Sequence, residues 1–235
     1  MKKSLIAITT ALIIGFVSAV ALCVRALSGA QAVSAFDEAV MRIVVDAGHG
    51  GIDGGVTGRK TGVKESDVNL AISFKLCAVL EEMGFETVMT RKTDAGLYDT
   101  TAKGFKKRDM QRRKEIILSA LPSMVISVHQ NFYSSQAQRG AQVFYAENSE
   151  KGKLLALQIQ AQMNVLYAKE GAKKRNAATG DYFMLRCADC PSVIVECGFL
   201  SNAKDEELLC DGVWQEKTAR SIAAGVAAYF SGNMT

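Results

Sequence analysis

The chain has 235 residues, 49% of them hydrophobic and 22% charged, which suits one folded domain behind a short leader and excludes a largely disordered chain. Its net charge of +4 fits a protein that approaches anionic polymers or membrane surfaces without singling out nucleic acid. There is no aromatic-and-basic stacking pattern and no nucleic-acid zinc finger, so no nucleic-acid partner is expected.

The start differs from the rest. Lys2 and Lys3 precede an apolar run from Leu5 to Val24, and small-x-small triplets follow at Ala30–Ala32 and Val33–Ala35. Residues 1–35 read either as a cleaved signal peptide or as an uncleaved N-terminal membrane anchor, because the run is long enough to span a bilayer. Residues 36–235 are then an exported catalytic domain, secreted or anchored outside the cytoplasmic membrane.

The body reads as alternating elements. Residues 42–47 (RIVVDA) are rich in β-branched side chains and lead into a glycine-rich turn, the pattern of a buried strand. Ser66 to Met83 is a predicted helix stopped by Gly84, with Ser66 or Asp67 as its cap. Phe85–Met89 is a second strand, Gly104–Leu121 a basic helix stopped by Pro122, Met124–Val128 a third strand and Ala141–Tyr145 a fourth. Glu150–Tyr167 is an amphipathic helix, Asp181–Leu185 and Ser192–Val195 are further strands, and Trp214–Phe230 is a closing helix. Strands alternating with helices predict a single α/β domain: a twisted, mostly parallel sheet of about six strands with helices on both faces. In such sheets, ligands gather at the carboxyl ends of the strands.

The only two histidines, His49 and His129, each follow a predicted strand, and Glu196 ends another. Five glycines among Asp46–Gly55 (DAGHGGIDGG) let the backbone bend tightly beside His49. The stretch matches neither phosphate-cradling glycine motif. Two histidines at strand ends point to a catalytic metal, which takes three protein ligands and keeps one position for water. The third ligand is a carboxylate among Asp46, Asp53, Glu65, Asp67 and Glu196, and spacing alone does not choose. Glu65 starts the helix after the glycine loop and can fold back beside His49, which frees Glu196 to act as general base.

Three blocks then carry a resemblance: VVDAGHGGIDGG at 44–55 followed by Lys64-Glu65, ISVHQN at 126–131, and VIVECGFLSN at 193–202. Together with Thr90-Arg91 and Arg113, they resemble the zinc-dependent N-acetylmuramoyl-L-alanine amidases of bacterial cell walls, the amidase-3 type, over roughly residues 42–230. The resemblance implies Zn2+ held by His49, Glu65 and His129, with Glu196 as the catalytic glutamate. It implies substrate contacts from Asn131, Arg91 and Arg113. It implies cleavage of the amide between N-acetylmuramic acid and the first L-alanine of the stem peptide. The bare leader-plus-domain layout and the long stretch Asp94–Asp109 look most like the sporulation and germination branch, which strips stem peptides in the spore cortex on the way to muramic-δ-lactam. Peptidoglycan is then the partner, with an accessory or activating protein as a further one. Gln130 and Phe132 depart from the smaller residues of many members, a change expected to bear on the groove.

Other features stay open. Cys187-Ala-Asp-Cys190 has redox-like spacing, but one such pair without a nearby histidine reads first as buried or free thiols. Lys103–Lys114 holds seven basic residues, either a solvated helix face or a contact for peptide carboxylates. A general cell-wall autolysin, a non-catalytic glycan-binding domain and a zinc peptidase acting within the stem are the competing functions. The bond that breaks separates them.

Overall fold

The computed structural model describes residues 41–100 and 102–232; the leader expectation for residues 1–35 lies outside them. The strands are β1 (Arg42–Ala47), β2 (Glu86–Met89), β3 (Met124–Asn131), β4 (Gln142–Tyr145), β5 (Ala178–Thr179) and β6 (Ser192–Phe199). The helices are α1 (Glu65–Glu82), α2 (Phe105–Ala120), α3 (Glu150–Ala168), α4 (Ala203–Cys210) and α5 (Gly212–Gly232), with a 3-10 turn at Phe183–Arg186. Among the described residues, no helix is long and apolar enough to cross a membrane.

The six strands form one sheet in the order β2-β1-β3-β6-β4-β5. Every pairing is parallel except that of β4 with β6, which is antiparallel. Alternation along each strand divides the core in two. Ile43, Val45, Ile126, Val128, Val193 and Val195 face the larger half, packed under α1, α3 and α5. Val44, Val125 and Ile194 face the smaller half, covered by Ile117 and Ala120 of α2 and by Met184 and Leu185 of the 3-10 turn. Each fully buried aliphatic side chain contributes roughly 1.5–3 kcal/mol of transfer free energy. Both faces therefore carry continuous apolar runs, as a sheet covered on both sides requires.

The same parity places the chemistry. Asp46 follows Val44, Ser127 and His129 follow Val125, and Glu196 follows Ile194, so all four lie on the α2 face at the carboxyl end of the sheet. Register confirms it: Asp46 pairs with Ser127 and His129 with Glu196. Both His129 and Glu196 thus lie within their strands rather than past them, because β3 and β6 run longer than the apolar pattern alone predicts.

Two local expectations are corrected, and one element was missed. Helix α1 begins at Glu65, and neither Ser66 nor Asp67 caps it. Its first amides are satisfied by the glycine loop instead: Glu65 N donates to Val56 O at 2.9 Å and Ser66 N to Gly54 O at 3.1 Å. The segment 181–185 is not a strand; the 3-10 turn inserts Met184 and Leu185 into the smaller core half while Tyr182 and Phe183 stay exposed. The short helix α4 was not predicted, although its signal was present: Asn202 accepts hydrogen bonds from Lys204 N and Asp205 N, with Asp205 and Glu206 in the first turn.

Candidate active site

The glycine loop between β1 and α1 makes room for side chains. A Cβ at Gly48 would lie 2.2 Å from His129 Cε1, so the His129 ring rests directly on this glycine. Gly55 has φ +69°, and a Cβ there would meet Glu65 Oε2 at 2.4 Å. His49 itself stands at φ 60°, a left-handed conformation that costs a residue bearing a Cβ on the order of 1–3 kcal/mol and persists only when its surroundings hold it. Arg113 supplies part of that hold, donating from Nη2 to His49 O at 2.6 Å.

These constraints bring His49, Glu65 and His129 together, with one ligand atom from each lying within 4.8 Å of the others. Glu65 Oε1 is 2.9 Å from His129 Nδ1 and 3.3 Å from His49 Nε2. The carboxylate is fixed from behind by Val56 N on Oε2 at 2.9 Å and by Gln130 N on Oε1 at 3.1 Å. Asn69, one turn along α1, donates to Gly48 O and Glu65 Oε1 and accepts from Gln130 Nε2. Burial works to raise the Glu65 carboxyl, but His129 and His49 hold it well below the usual carboxylate range. It is therefore ionised at any physiological pH. Two imidazoles and a buried, pre-ionised carboxylate are a donor set that suits zinc.

Glu196 lies beside this cluster and outside it. Its Oε2 is buried and has no hydrogen-bond partner. Burial pushes its pKa up from 4.5 to about 7, with His129 and His49 opposing and Glu65 reinforcing the rise. A carboxylate that gains and loses a proton near neutrality is suited to general acid–base work. Glu196 and His129 line a cavity of about 290 Å³ with Phe105, Met110, Phe183 and Met184 among its other walls.

The remaining candidates fall elsewhere. Asp46 is only 1% exposed and is spent on Arg113 Nη1, Ser127 Oγ and Thr90 Oγ1. Burial opposes ionisation there, yet Arg113, Ser127 and Thr90 bring its pKa down to about 2. Asp67 is exposed on α1. Asp53 faces the other ring nitrogen of His49, with Oδ2 3.1 Å from Nδ1. Asn131 is half-buried at the end of β3, two residues past His129, and does not line the cavity.

The two arginines, expected to touch substrate, are tied into the glycine loop by their hydrogen bonds. Arg91 is buried and donates to the carbonyls of Ala47, Gly48, Ser66 and Thr93. Arg113 is also buried and bonds Asp46, Asp109 and the carbonyls of Ala47 and His49. Their nitrogens hold the glycine loop from beneath, which leaves none of Arg91's pointing to solvent and one edge of Arg113 at the cavity floor. Gln130 is likewise buried against Asn69 rather than in a groove, while Phe132 is exposed under Arg59.

Tyr98 and Lys106 were not singled out from the sequence. Tyr98 accepts from Ile52 N at 2.7 Å, and its ring fills the space left by Gly51 and Gly96; nothing in its local pattern marks it. Asn69 had a signal, since it stands four residues after Glu65 on one helix face. The described cysteines, Cys187 and Cys190 included, are free thiols. Burial pushes Cys187 up to about 11, which suits an inert core position rather than redox chemistry.

Residues 43–228 match the N-acetylmuramoyl-L-alanine amidase family. The chain belongs to that family. The amidase is 34% identical over 196 residues to a germination-specific N-acetylmuramoyl-L-alanine amidase of Bacillus subtilis, covering 80% of this chain and 79% of the relative. Among solved structures it resembles the CwlD amidase of Clostridioides difficile in complex with the GerS lipoprotein, with a TM-score of 0.77, 36% identity, and 81% and 98% of the two chains covered. The catalytic domain of CwlV from Bacillus (Paenibacillus) polymyxa matches with a TM-score of 0.70 and 28% identity, covering 81% of this chain and 98% of that one. The sheet and helices of this amidase are those of its structural neighbours.

Proposed function

We propose that the chain is a zinc-dependent N-acetylmuramoyl-L-alanine amidase that strips stem peptides from spore-cortex peptidoglycan. The observation that carries this reading is the cluster His49–Glu65–His129 with the unpartnered carboxyl of Glu196 beside it. His49, Glu65 and His129 would hold the ion, and Zn2+ there supplies Lewis acidity to the scissile carbonyl and to water. Glu196 takes a proton from the attacking water on its free oxygen and delivers it to the amine of L-alanine as the C–N bond breaks, which leaves the lactyl group of N-acetylmuramic acid as a carboxylate. The wall of Phe105, Met110, Phe183 and Met184 limits bulk water near that carboxyl and keeps its proton affinity high. Arg91 and Arg113 hold the loop on which His49 stands.

The cortex assignment rests on the likeness to the germination-specific relative. Complex formation between the CwlD amidase and a lipoprotein supports an accessory protein for this amidase too. Export by residues 1–35, cleaved or kept as an anchor, accords with a peptidoglycan substrate.

The test is a digest of purified cortex and vegetative peptidoglycan by the full-length chain, with products identified by mass. Free stem peptides beginning with L-alanine, released preferentially from cortex, are the expected result. Shortened stems still attached to glycan would make the enzyme a peptidase instead.

A further inference from the structure

His49 has two ring nitrogens and the structure gives each its own carboxylate. Nε2 turns to Glu65 in the three-residue cluster at 3.3 Å, and Nδ1 turns away from it to Asp53 Oδ2 at 3.1 Å. The other oxygen of Asp53 is 3.0 Å from Lys106 Nζ on α2. Asp53 is also fixed through its backbone, since Gly50 N donates to Asp53 O at 2.9 Å and Asp53 N to Gly50 O at 3.2 Å. The carboxylate is thus held from both sides: by a closed turn of the glycine loop and by a cation from a separate helix.

We propose that Asp53, steadied by Lys106, is a positioning residue that locks the His49 ring with Nε2 toward Glu65 and His129, and so sets the affinity of this cluster for a divalent metal ion. The inference rests on the metal reading of that cluster. A neutral imidazole has one N–H and one lone pair. When Nδ1–H is donated to a carboxylate, the lone pair is left on Nε2, the atom that faces the cluster; partners of this kind fix the tautomer and ring orientation of a ligating histidine. Asp53 is not itself in the cluster, because it occupies the far side of the ring. Lys106 is 66% exposed, so its ion pair alone is weak. Its effect is to keep Asp53 from turning to solvent and to tie α2 to the loop. One member of the basic run Lys103–Lys114 thereby gains a role separate from a solvated face.

The experiment is a competition titration of Zn2+ against a chromophoric chelator, using the full-length chain, with the unfolding midpoint of the metal-free protein measured alongside. Asp53→Ala should weaken Zn2+ binding by roughly 10- to 100-fold with little change in the metal-free midpoint. Asp53→Asn, whose side-chain oxygen still accepts from Nδ1–H, should recover part of that loss. Lys106→Met should weaken binding several-fold alone and add nothing in the Asp53→Ala background. Wild-type affinity in both Asp53 variants would overturn the proposal, and a further loss from Lys106→Met in the double variant would overturn the part given to Lys106. Should Asp53→Ala fail to fold, the near-isosteric Asp53→Asn decides: binding as tight as wild type overturns the proposal. His129→Ala separates this from the metal reading. If His129→Ala keeps wild-type affinity, the metal cluster itself is wrong; if it loses the metal while the Asp53 variants keep it, only the role of Asp53 falls.

Discussion

Glu196 is the residue to which the proposed reaction gives the proton transfer. Its Oε2 is buried without a hydrogen-bond partner, and burial raises its pKa to about 7. Replacing it with Gln keeps the shape and removes the proton site, so turnover should fall by roughly 10²- to 10⁴-fold while zinc content stays unchanged. The raised pKa also has a sign in stability. Between pH 4.5 and about 7 the folded state keeps a proton that the unfolded state releases, so this group makes the metal-free protein less stable as pH rises, with the full penalty above 7. Glu196→Gln removes that penalty. Its gain in thermal midpoint over wild type should therefore be small at pH 5 and larger at pH 8; an equal difference at both pH values would show that the carboxyl is not raised.

At the scale of elements, the glycine loop and the arginines beneath it decide where the ligands stand. The His129 ring lies against Gly48, where a Cβ would come within 2.2 Å of it. Gly48→Ala should push the ring from Glu65 and cut zinc binding, with the circular dichroism of the fold preserved. Arg113 joins α2 to β1 by pairing with Asp46 at 2.7 Å, both side chains at most 2% exposed. Arg113→Met strands a buried carboxylate and should destabilise the protein by about 3–5 kcal/mol in urea unfolding. Arg112, its exposed neighbour paired with Glu115, should change stability by less than about 0.5 kcal/mol when replaced by Ala. A similar effect of the two substitutions would contradict the structural role given to Arg113.

Across the whole molecule, much of this arrangement could be read from the residues. The β-branched runs before His49, His129 and Glu196 located β1, β3 and β6, because a buried parallel strand must be apolar on both faces. Their placement at strand ends then put His49, His129 and Glu196 at one edge of the sheet. What could not be read was long-range. The helix α1 has no side-chain cap, since the amides at its start are satisfied by carbonyls of the glycine loop, a tertiary fact without a local pattern. Arg91 and Arg113 are charged residues whose burial depends on carbonyls far along the chain, so their place beneath the loop has no local pattern. The 3-10 turn at Phe183–Arg186 and the two-residue strand β5 are too short for periodicity to tell them apart.

The central claim is that His49, Glu65 and His129 hold one zinc ion with Glu196 next to it and not among its ligands. Anomalous scattering at the zinc edge from crystals of the zinc-loaded protein tests this directly. One peak is expected, bounded by the side chains of those three residues. A peak at Cys187 and Cys190, or one that includes Glu196 and omits Glu65, would contradict it.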